Sequence, residues 1–330
     1  VILSPEEAEA RVAALLGGGV VEQEVPAPPA YRFIRPFAEA ANDYVELIIN
    51  EEGRWLFGIE QLDAMVRGVG RGELCYVTGR PHSGKTQLVL QSIANNPDKH
   101  CLVFTLDEVD SLLLAKLVSM TRSIDNETLE QRIKERNKDI IDLTKHVAAH
   151  DFGNLIVIDQ PLTFRQMQDA LTEAQQYWQA DCDSVVIDFL EQLPGSGDFE
   201  GVAAKSTQLK QWCKRNDVPL ICLHQAGRSS GPRGQAAGME AMRYGGEHDA
   251  MFVLEVFRKR DDESLDAFQR QQEENTVTVN VAKNKRPPCK VGEIDLFIHP
   301  KFGYIRPIKD GDKHVPGTKL TAAQAAALRS

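Results

Sequence analysis

The middle of the chain alternates between short, almost purely apolar runs and longer stretches in which apolar residues recur every three or four positions. Glu73–Thr78, Cys101–Leu106, Leu155–Ile158, Ser184–Ile187, Val218–Leu223, Met251–Phe257 and Thr276–Val281 are of strand length. A sheet wetted on one face would place a polar residue at every second position. Runs this continuous indicate strands buried on both faces, as in a largely parallel sheet. Between them, Gln87–Ile93 reads as a helix, and so does the stretch carrying Leu112, Leu113, Leu117 and Val118. The charged region 123–146 reads as solvent-facing helix, and Thr163 is placed to cap a helix between the third and fourth runs. The last runs, including Glu293–Ile298, follow one another too closely for crossover helices and predict an antiparallel extension. The expected fold class is therefore α/β, a mostly parallel central sheet with helices on both faces.

The ends of the chain read differently. Ser4 to Leu16 fits a short amphipathic helix, with Ser4 as cap, Pro5 at the first helical position and Glu6 and Glu7 in the first turn. Gly17–Gly19 stops it and the proline-rich Val25–Ala30 extends the chain. This arm, residues 1–30, is either a leader or a docking element whose Val12, Leu15 and Leu16 rest on a neighbouring subunit. A single domain over 31–308 and a loose tail over 309–330 complete the expected organisation.

The stretch Gly79, Arg80, Pro81, His82, Ser83, Gly84, Lys85, Thr86 fits G-x-x-x-x-G-K-[ST] between a predicted strand and a predicted helix that Gln87 opens. Glycines allow backbone N–H groups to wrap phosphates, Lys85 supplies a point charge, and Thr86 offers a hydroxyl to Mg²⁺. A helix N-terminus aimed at the loop adds favourable dipole charge. The chain is expected to bind ATP with Mg²⁺. A second acid at a strand end is needed for the metal, and Asp159 and Asp188 both qualify. Asp107 or Glu108 could orient the attacking water, unless both are simply helix N-terminal acids. His224–Gln225 is either a γ-phosphate sensor or a solvated strand end.

Composition narrows the setting. The formal charge is −10, which excludes a generic basic nucleic-acid coat while leaving room for local cations in an inner channel. The six cysteines are scattered without C-x-x-C spacing, as expected of a reducing, cytoplasmic compartment. No apolar run approaches membrane-spanning length and no signal-peptide pattern opens the chain.

In order and spacing, from about Phe57 to Ile308, the chain resembles the ATPase domain of the DnaB-like hexameric replicative helicases, a RecA-fold family that includes phage members. Gly58–Asp63 resembles the family's opening segment, and Gly79–Thr86 its G-R-P-S-M-G-K-T. Val103–Glu108 is similar to the strand ending F-S-L-E-M, and Val186–Leu193 to V-I-D-Y-L-Q-L, which selects Asp188 over Asp159. Val218–Gln225 resembles the sensor strand, with Gln225 at the glutamine position and Arg228 at the arginine position. Arg243–Ala250 resembles D-L-R-E-S-G…Q-D-A-D. Val281–Arg286 resembles V-A-K-x-R-N-G, whose basic residues reach a neighbouring subunit's γ-phosphate. The resemblance implies a homo-oligomeric, hexameric ring that hydrolyses ATP to move on single-stranded DNA and unwind duplex during replication or recombination.

By that resemblance Lys85, Gln225 and Asp107 or Glu108 serve catalysis, with Lys283, Lys285 or Arg286 contributed by the neighbour. This chain has Lys285 where the family has its trans-acting arginine, with Arg286 beside it, and only arginine offers a planar fork of donors. DNA contact is expected from two loops, Pro194–Gly201 leading to Lys205, and Gly227–Gln235 with Arg228 and Arg233 leading to Arg243. The family's N-terminal domain is not seen here, which leaves any loader or primase partner open. A recombination ATPase forming filaments, an ATP-gated DNA-binding module and a nuclease are the competing readings.

Overall fold

In a computed structural model, the described residues are 53–196, 199–225, 233–236 and 248–312, with a few isolated positions between 37 and 49. The chain divides into two units, residues 1–51 and 52–330. In the first, Ala41, Tyr44, Val45, Ile48 and Ile49 are helical. The expected arm at 1–30 and the tail from 313 onward lie outside the described residues.

The second unit opens with two short strands, β1 (Arg54–Trp55) and β2 (Val69–Gly70), that pair with each other. The rest is built on a nine-stranded sheet. In chain order its strands are β3 (Leu74–Gly79), β4 (Cys101–Thr105), β5 (Leu155–Ile158), β6 (Ser184–Asp188), β7 (Leu220–Gln225), β8 (Phe252–Phe257), β9 (Thr276–Asn284), β10 (Gly292–Ile298) and β11 (Ile305–Pro307). The spatial order is β11-β10-β9-β8-β3-β7-β6-β4-β5. Strands β8, β3, β7, β6, β4 and β5 run parallel, while β9, β10 and β11 are added antiparallel.

Both faces of the parallel part are covered, which is why its strands read as continuous apolar runs. Cys75 and Val77 of β3 join one core cluster with Val103, Val186, Ile221 and Leu254, whereas Leu74 and Tyr76 join the other with Leu102, Val185, Leu220 and Val253. In β9 the pattern changes to period two. Val277, Val279 and Val281 enter the first cluster, while the intervening Thr278 and Asn280 face the other way.

The helices follow the local signals with one revision. They are α1 (Glu60–Val66), α2 (Lys85–Ala94), α3 (Asp110–Arg122), α4 (Asn126–Lys134), α5 (Lys138–His146), α6 (Phe164–Trp178), α7 (Phe199–Asn216) and α8 (Ala267–Gln272). Thr163 caps α6 through a reciprocal capping box with Gln166. The charged region 123–146 is two helices rather than one. Asp125 accepts the Thr128 N–H at 2.9 Å and Asn137 accepts the Ile140 N–H at 3.1 Å, so each helix has its own cap. Arg136, at φ 57°, turns the chain between them.

Candidate active site

The parallel strands of one sheet end along the same edge, so the residues just past their C-termini meet there. Gly79 ends β3, Asp107 and Glu108 follow β4, Asp188 ends β6 and Gln225 ends β7. Asp107, Glu108, Asp188 and Gln225, together with Pro81–Gln87, line a cavity of about 570 Å³. That size suits a nucleotide-sized ligand.

The loop geometry explains its glycines. Gly79 has φ 158°, and a Cβ there would lie 2.3 Å from the Val256 carbonyl oxygen. Gly84, at φ 104°, is the residue before α2. The left-handed region at that position favours glycine. Lys85 is buried, and its Nζ donates to the carbonyls of Gly79 and Arg80, each at 2.9 Å. The loop's own backbone thus holds the ammonium at the cavity. Burial lowers its pKa, opposed by the negative charges of Asp188 and Glu191.

Thr86 Oγ1 donates to Asp188 Oδ2 at 3.2 Å. Burial pushes the Asp188 carboxyl up to about 6, and the nearby Glu108 and Asp107 push in the same direction against the Thr86 hydrogen bond and Lys85. A carboxylate whose charge is disfavoured by burial and by two acidic neighbours is suited to a cation. Its hydroxyl partner supplies a second hard oxygen, the donor type Mg²⁺ takes. Asp159, the alternative acid, is exposed and does not line the cavity.

Asp107 and Glu108 differ in their surroundings. Glu108 forms a close ion pair with Lys116 of α3, and its backbone carbonyl accepts from Thr105 Oγ1 at 2.8 Å. Asp107 has no hydrogen-bond or ion-pair partner among the described residues. Gln225 lines the cavity, and its backbone N–H donates to Glu191 Oε1 at 3.0 Å.

Several lining residues escaped sequence reasoning. Lys116, Arg258, Arg260 and His299 all face the cavity. Arg258 is buried and donates to the carbonyls of Thr276, at 2.8 Å, and Glu274, at 2.5 Å. Burial pulls its pKa down to about 10. The one signal available for Lys116 was its place less than two turns into a helix that begins just past Glu108, at Asp110.

The remaining candidates lie elsewhere. Strand β9 runs against β8, pairing Asn284 with Phe252 and Thr278 with Phe257. Its C-terminal end is therefore at the opposite edge from Gly79, and the length of β8 puts roughly 17 Å between the two edges. Lys283, Lys285 and Arg286 cannot reach the cavity of their own chain. Lys285 is exposed and donates to the His248 carbonyl at 2.8 Å. Arg286 is bound internally: Nη1 donates to the carbonyls of Val66 (2.5 Å), Arg67 (3.0 Å) and Gly68 (2.9 Å), and Nη2 pairs closely with Glu73. Its guanidinium also stacks on Phe252, 4.9 Å from the ring centre.

Of the expected DNA contacts, Lys205 requires correction. It is only 3% exposed, and its Nζ donates inward to the Glu191 carbonyl at 3.3 Å. A surface contact needs a solvated ammonium, and packing removes this one. Arg233 is exposed. Arg228 and Arg243 lie outside the described residues.

A phosphate-wrapping loop between a central parallel strand and its helix, with carboxylates gathered at the same edge, defines a P-loop nucleotide-binding domain. Residues 56–305 match the family model for the DnaB-like helicase C terminal domain. The chain belongs to that family. It is 25% identical over 283 residues to the replicative DNA helicase DnaB of Geobacillus stearothermophilus, covering 81% of this chain and 60% of that one. It is 24% identical over 316 residues to the replicative DNA helicase DnaB of Helicobacter pylori, covering 87% and 62%. The chain thus spans about 60% of the length of these curated relatives. Among solved structures, a DnaB-like replicative helicase described with its interactions with primase superposes with TM-score 0.68 at 18% identity, covering 92% of this chain and 72% of that one. A second solved structure, of an ATPase domain on its own, gives TM-score 0.67 at 18% identity, covering 84% and 100%. These likenesses establish the RecA-like fold. Among the described residues no helix is long and apolar enough to cross a membrane.

Proposed function

We propose that this chain is an ATP-driven motor that works as a ring of identical copies on single-stranded DNA and separates duplex strands during replication. The observation that carries the reading is the division of the chemistry between two sheet edges. Lys85, Thr86, Asp188, Asp107, Glu108 and Gln225 share one cavity. The basic segment Lys283–Arg286 stands at the far edge, away from the cavity of its own chain, which supports Lys283 or Lys285 serving the cavity of another copy.

In this reading Lys85 holds the β- and γ-phosphates, and its tether to the Gly79 and Arg80 carbonyls fixes it in place before ligand arrives. Thr86 and Asp188 would hold Mg²⁺, which neutralises phosphate charge when bound. Asp107, with no competing partner among the described residues, orients the attacking water, while Lys116 keeps Glu108 engaged. Gln225, at the end of β7, responds to the γ-phosphate. Lys285, or Lys283, of an adjacent copy offsets charge developing in the transition state. Arg286 is given a structural role instead, since its guanidinium is taken up by bonds within its own chain. Hydrolysis would shift the segments that follow Gln192 and Gln225 against the DNA backbone, and the bacterial cytoplasm is the compartment that this activity suits.

Strand displacement on a forked DNA substrate tests the reading, with Lys85→Ala as control. ATP- and Mg²⁺-dependent unwinding that the variant lacks is expected. ATP turnover without any strand displacement would reduce the protein to an ATP-gated DNA-binding module.

A further inference from the structure

Glu191 has no part in the catalytic reading, yet it occupies a junction. It lies in the 3₁₀ turn Leu190–Gln192, three residues past Asp188. Its Oε1 accepts the Gln225 N–H at 3.0 Å and lies 3.3 Å from Nδ1 of the fully buried His224. The same Nδ1 is 2.9 Å from the Gln225 carbonyl oxygen. Glu191 and His224 together therefore grip both backbone polar groups of Gln225. The second carboxylate oxygen, Oε2, is buried and has no hydrogen-bond partner among the described residues.

The backbone of Glu191 makes a second connection. Its carbonyl accepts from Lys205 Nζ at 3.3 Å, and Lys205 reaches it from the buried side of α7. A Cβ at Gly195 would lie 3.3 Å from Lys205 Cε, so the chain past Leu193 rests on that side chain. The next residues of α7 hold a further point. Ser206 Oγ and Thr207 Oγ1 donate to Asp249 Oδ2 at 3.2 and 3.0 Å, and Lys210 pairs with Oδ1 at 3.2 Å. Ser206 in turn accepts from Tyr76 of β3 at 2.8 Å.

These contacts have one topological consequence. The segment after Gln192, the departure of the chain at Gln225 and its return at Asp249 are all fastened to the first turns of α7, directly or through Glu191. Both segments assigned to DNA therefore share one base. Polar contacts in a low-dielectric interior are costly to leave unmade, so a shift of Gln225 must be accommodated along this chain of bonds.

We infer that Glu191 is a positioning residue that couples the nucleotide-facing Gln225 to α7, and through Lys205 to the roots of both DNA-facing segments. The inference rests on the motor reading above. It requires that Glu191 affect the response to DNA more than the ATPase chemistry itself.

The test is steady-state ATP turnover by the full chain with Mg²⁺, with and without oligo(dT), for wild type, Glu191→Ala, Glu191→Gln and Lys205→Met. In Glu191→Ala the stimulation of kcat by oligo(dT) falls at least about fivefold. Its unstimulated kcat and its KM for ATP stay within about twofold of wild type. Glu191→Gln keeps an acceptor for the Gln225 N–H and recovers most of the stimulation. Lys205→Met, which breaks the other half of the junction, lowers it. Unchanged stimulation in both Glu191→Ala and Lys205→Met overturns the inference. Equal loss of stimulated and unstimulated turnover in Glu191→Ala also overturns it, since the residue would then act on the chemistry or the fold at large. A wild-type protein that hydrolyses ATP with no response to oligo(dT) instead overturns the motor reading, before any variant is compared.

Discussion

Arg286 decides between two accounts of the basic segment, and replacing it with alanine separates them. Its guanidinium donates to three successive carbonyls, Val66, Arg67 and Gly68. The first two are terminal acceptors of α1, whose C-cap Arg67 is left-handed, and Gly68 follows that cap. Such acceptors have no partner within their own helix. Nη2 adds the Glu73 carboxylate, with side-chain exposures of 11% for Arg286 and 18% for Glu73. Removing one partner of a buried ion pair costs about 3–5 kcal/mol. The low but finite exposure places the expected loss for Arg286→Ala near the bottom of that range, at about 3 kcal/mol. At a urea m-value of about 3 kcal/mol/M this moves the unfolding midpoint down by about 1 M. Arg286→Lys should recover little, because a point charge cannot serve three carbonyls and a carboxylate at once. Urea denaturation of the nucleotide-free protein, followed by intrinsic fluorescence, reads the shift. An unmoved midpoint together with collapsed ATP turnover would refute the reasoning and return Arg286 to the subunit boundary.

Three further outcomes follow from the site. Asp107→Asn should lower kcat at least about a hundredfold while Glu108→Gln lowers it less than about tenfold, and steady-state turnover with the order reversed would reassign the water-orienting role. Lys285→Ala should leave ATP affinity nearly intact, by equilibrium binding of a fluorescent analogue, while reducing turnover of the assembled protein about a thousandfold; loss of affinity and turnover together would argue against action across a boundary. The folded-state pKa of Asp188, about 6, lies above the ordinary 3.8. Its contribution to stability is therefore fully present below about pH 4 and lost as the pH rises through 6. At 1.36 kcal/mol per pH unit the ceiling is about 3 kcal/mol. Asp188→Asn should stabilise the nucleotide-free, metal-free protein by about 1–2 kcal/mol at pH 8 and much less at pH 4.5, measured by urea melts, and equal gains at both pH values would contradict the pKa assignment.

The parallel sheet was legible because its strands bury both faces, so composition alone marked them. The P-loop was legible because its backbone demands fall on adjacent residues. What escaped depended on contacts between distant positions. Lys205 and Lys285 look alike in sequence, each a cation near a stretch rich in glycine or proline. Packing against Gly195 and the Glu191 carbonyl buries the first, while the second stays exposed. The partners of Arg286 are the end of α1 and Glu73, more than two hundred residues earlier, and no local pattern points to them. Glu191 showed no signal either, since its importance arises where the turn after β6 meets the end of β7. The split at Arg136 could have been read from Asp125 and Asn137, both cap residues; the surrounding charge concealed it.

The central claim is that each nucleotide cavity is completed by another copy of the chain. Sedimentation velocity of the purified protein with Mg²⁺, a non-hydrolysable ATP analogue and oligo(dT) addresses it directly. A closed assembly of several copies is the predicted result. A monomer under all of those conditions would leave Lys283 and Lys285 with no cavity to reach, and the account would be wrong.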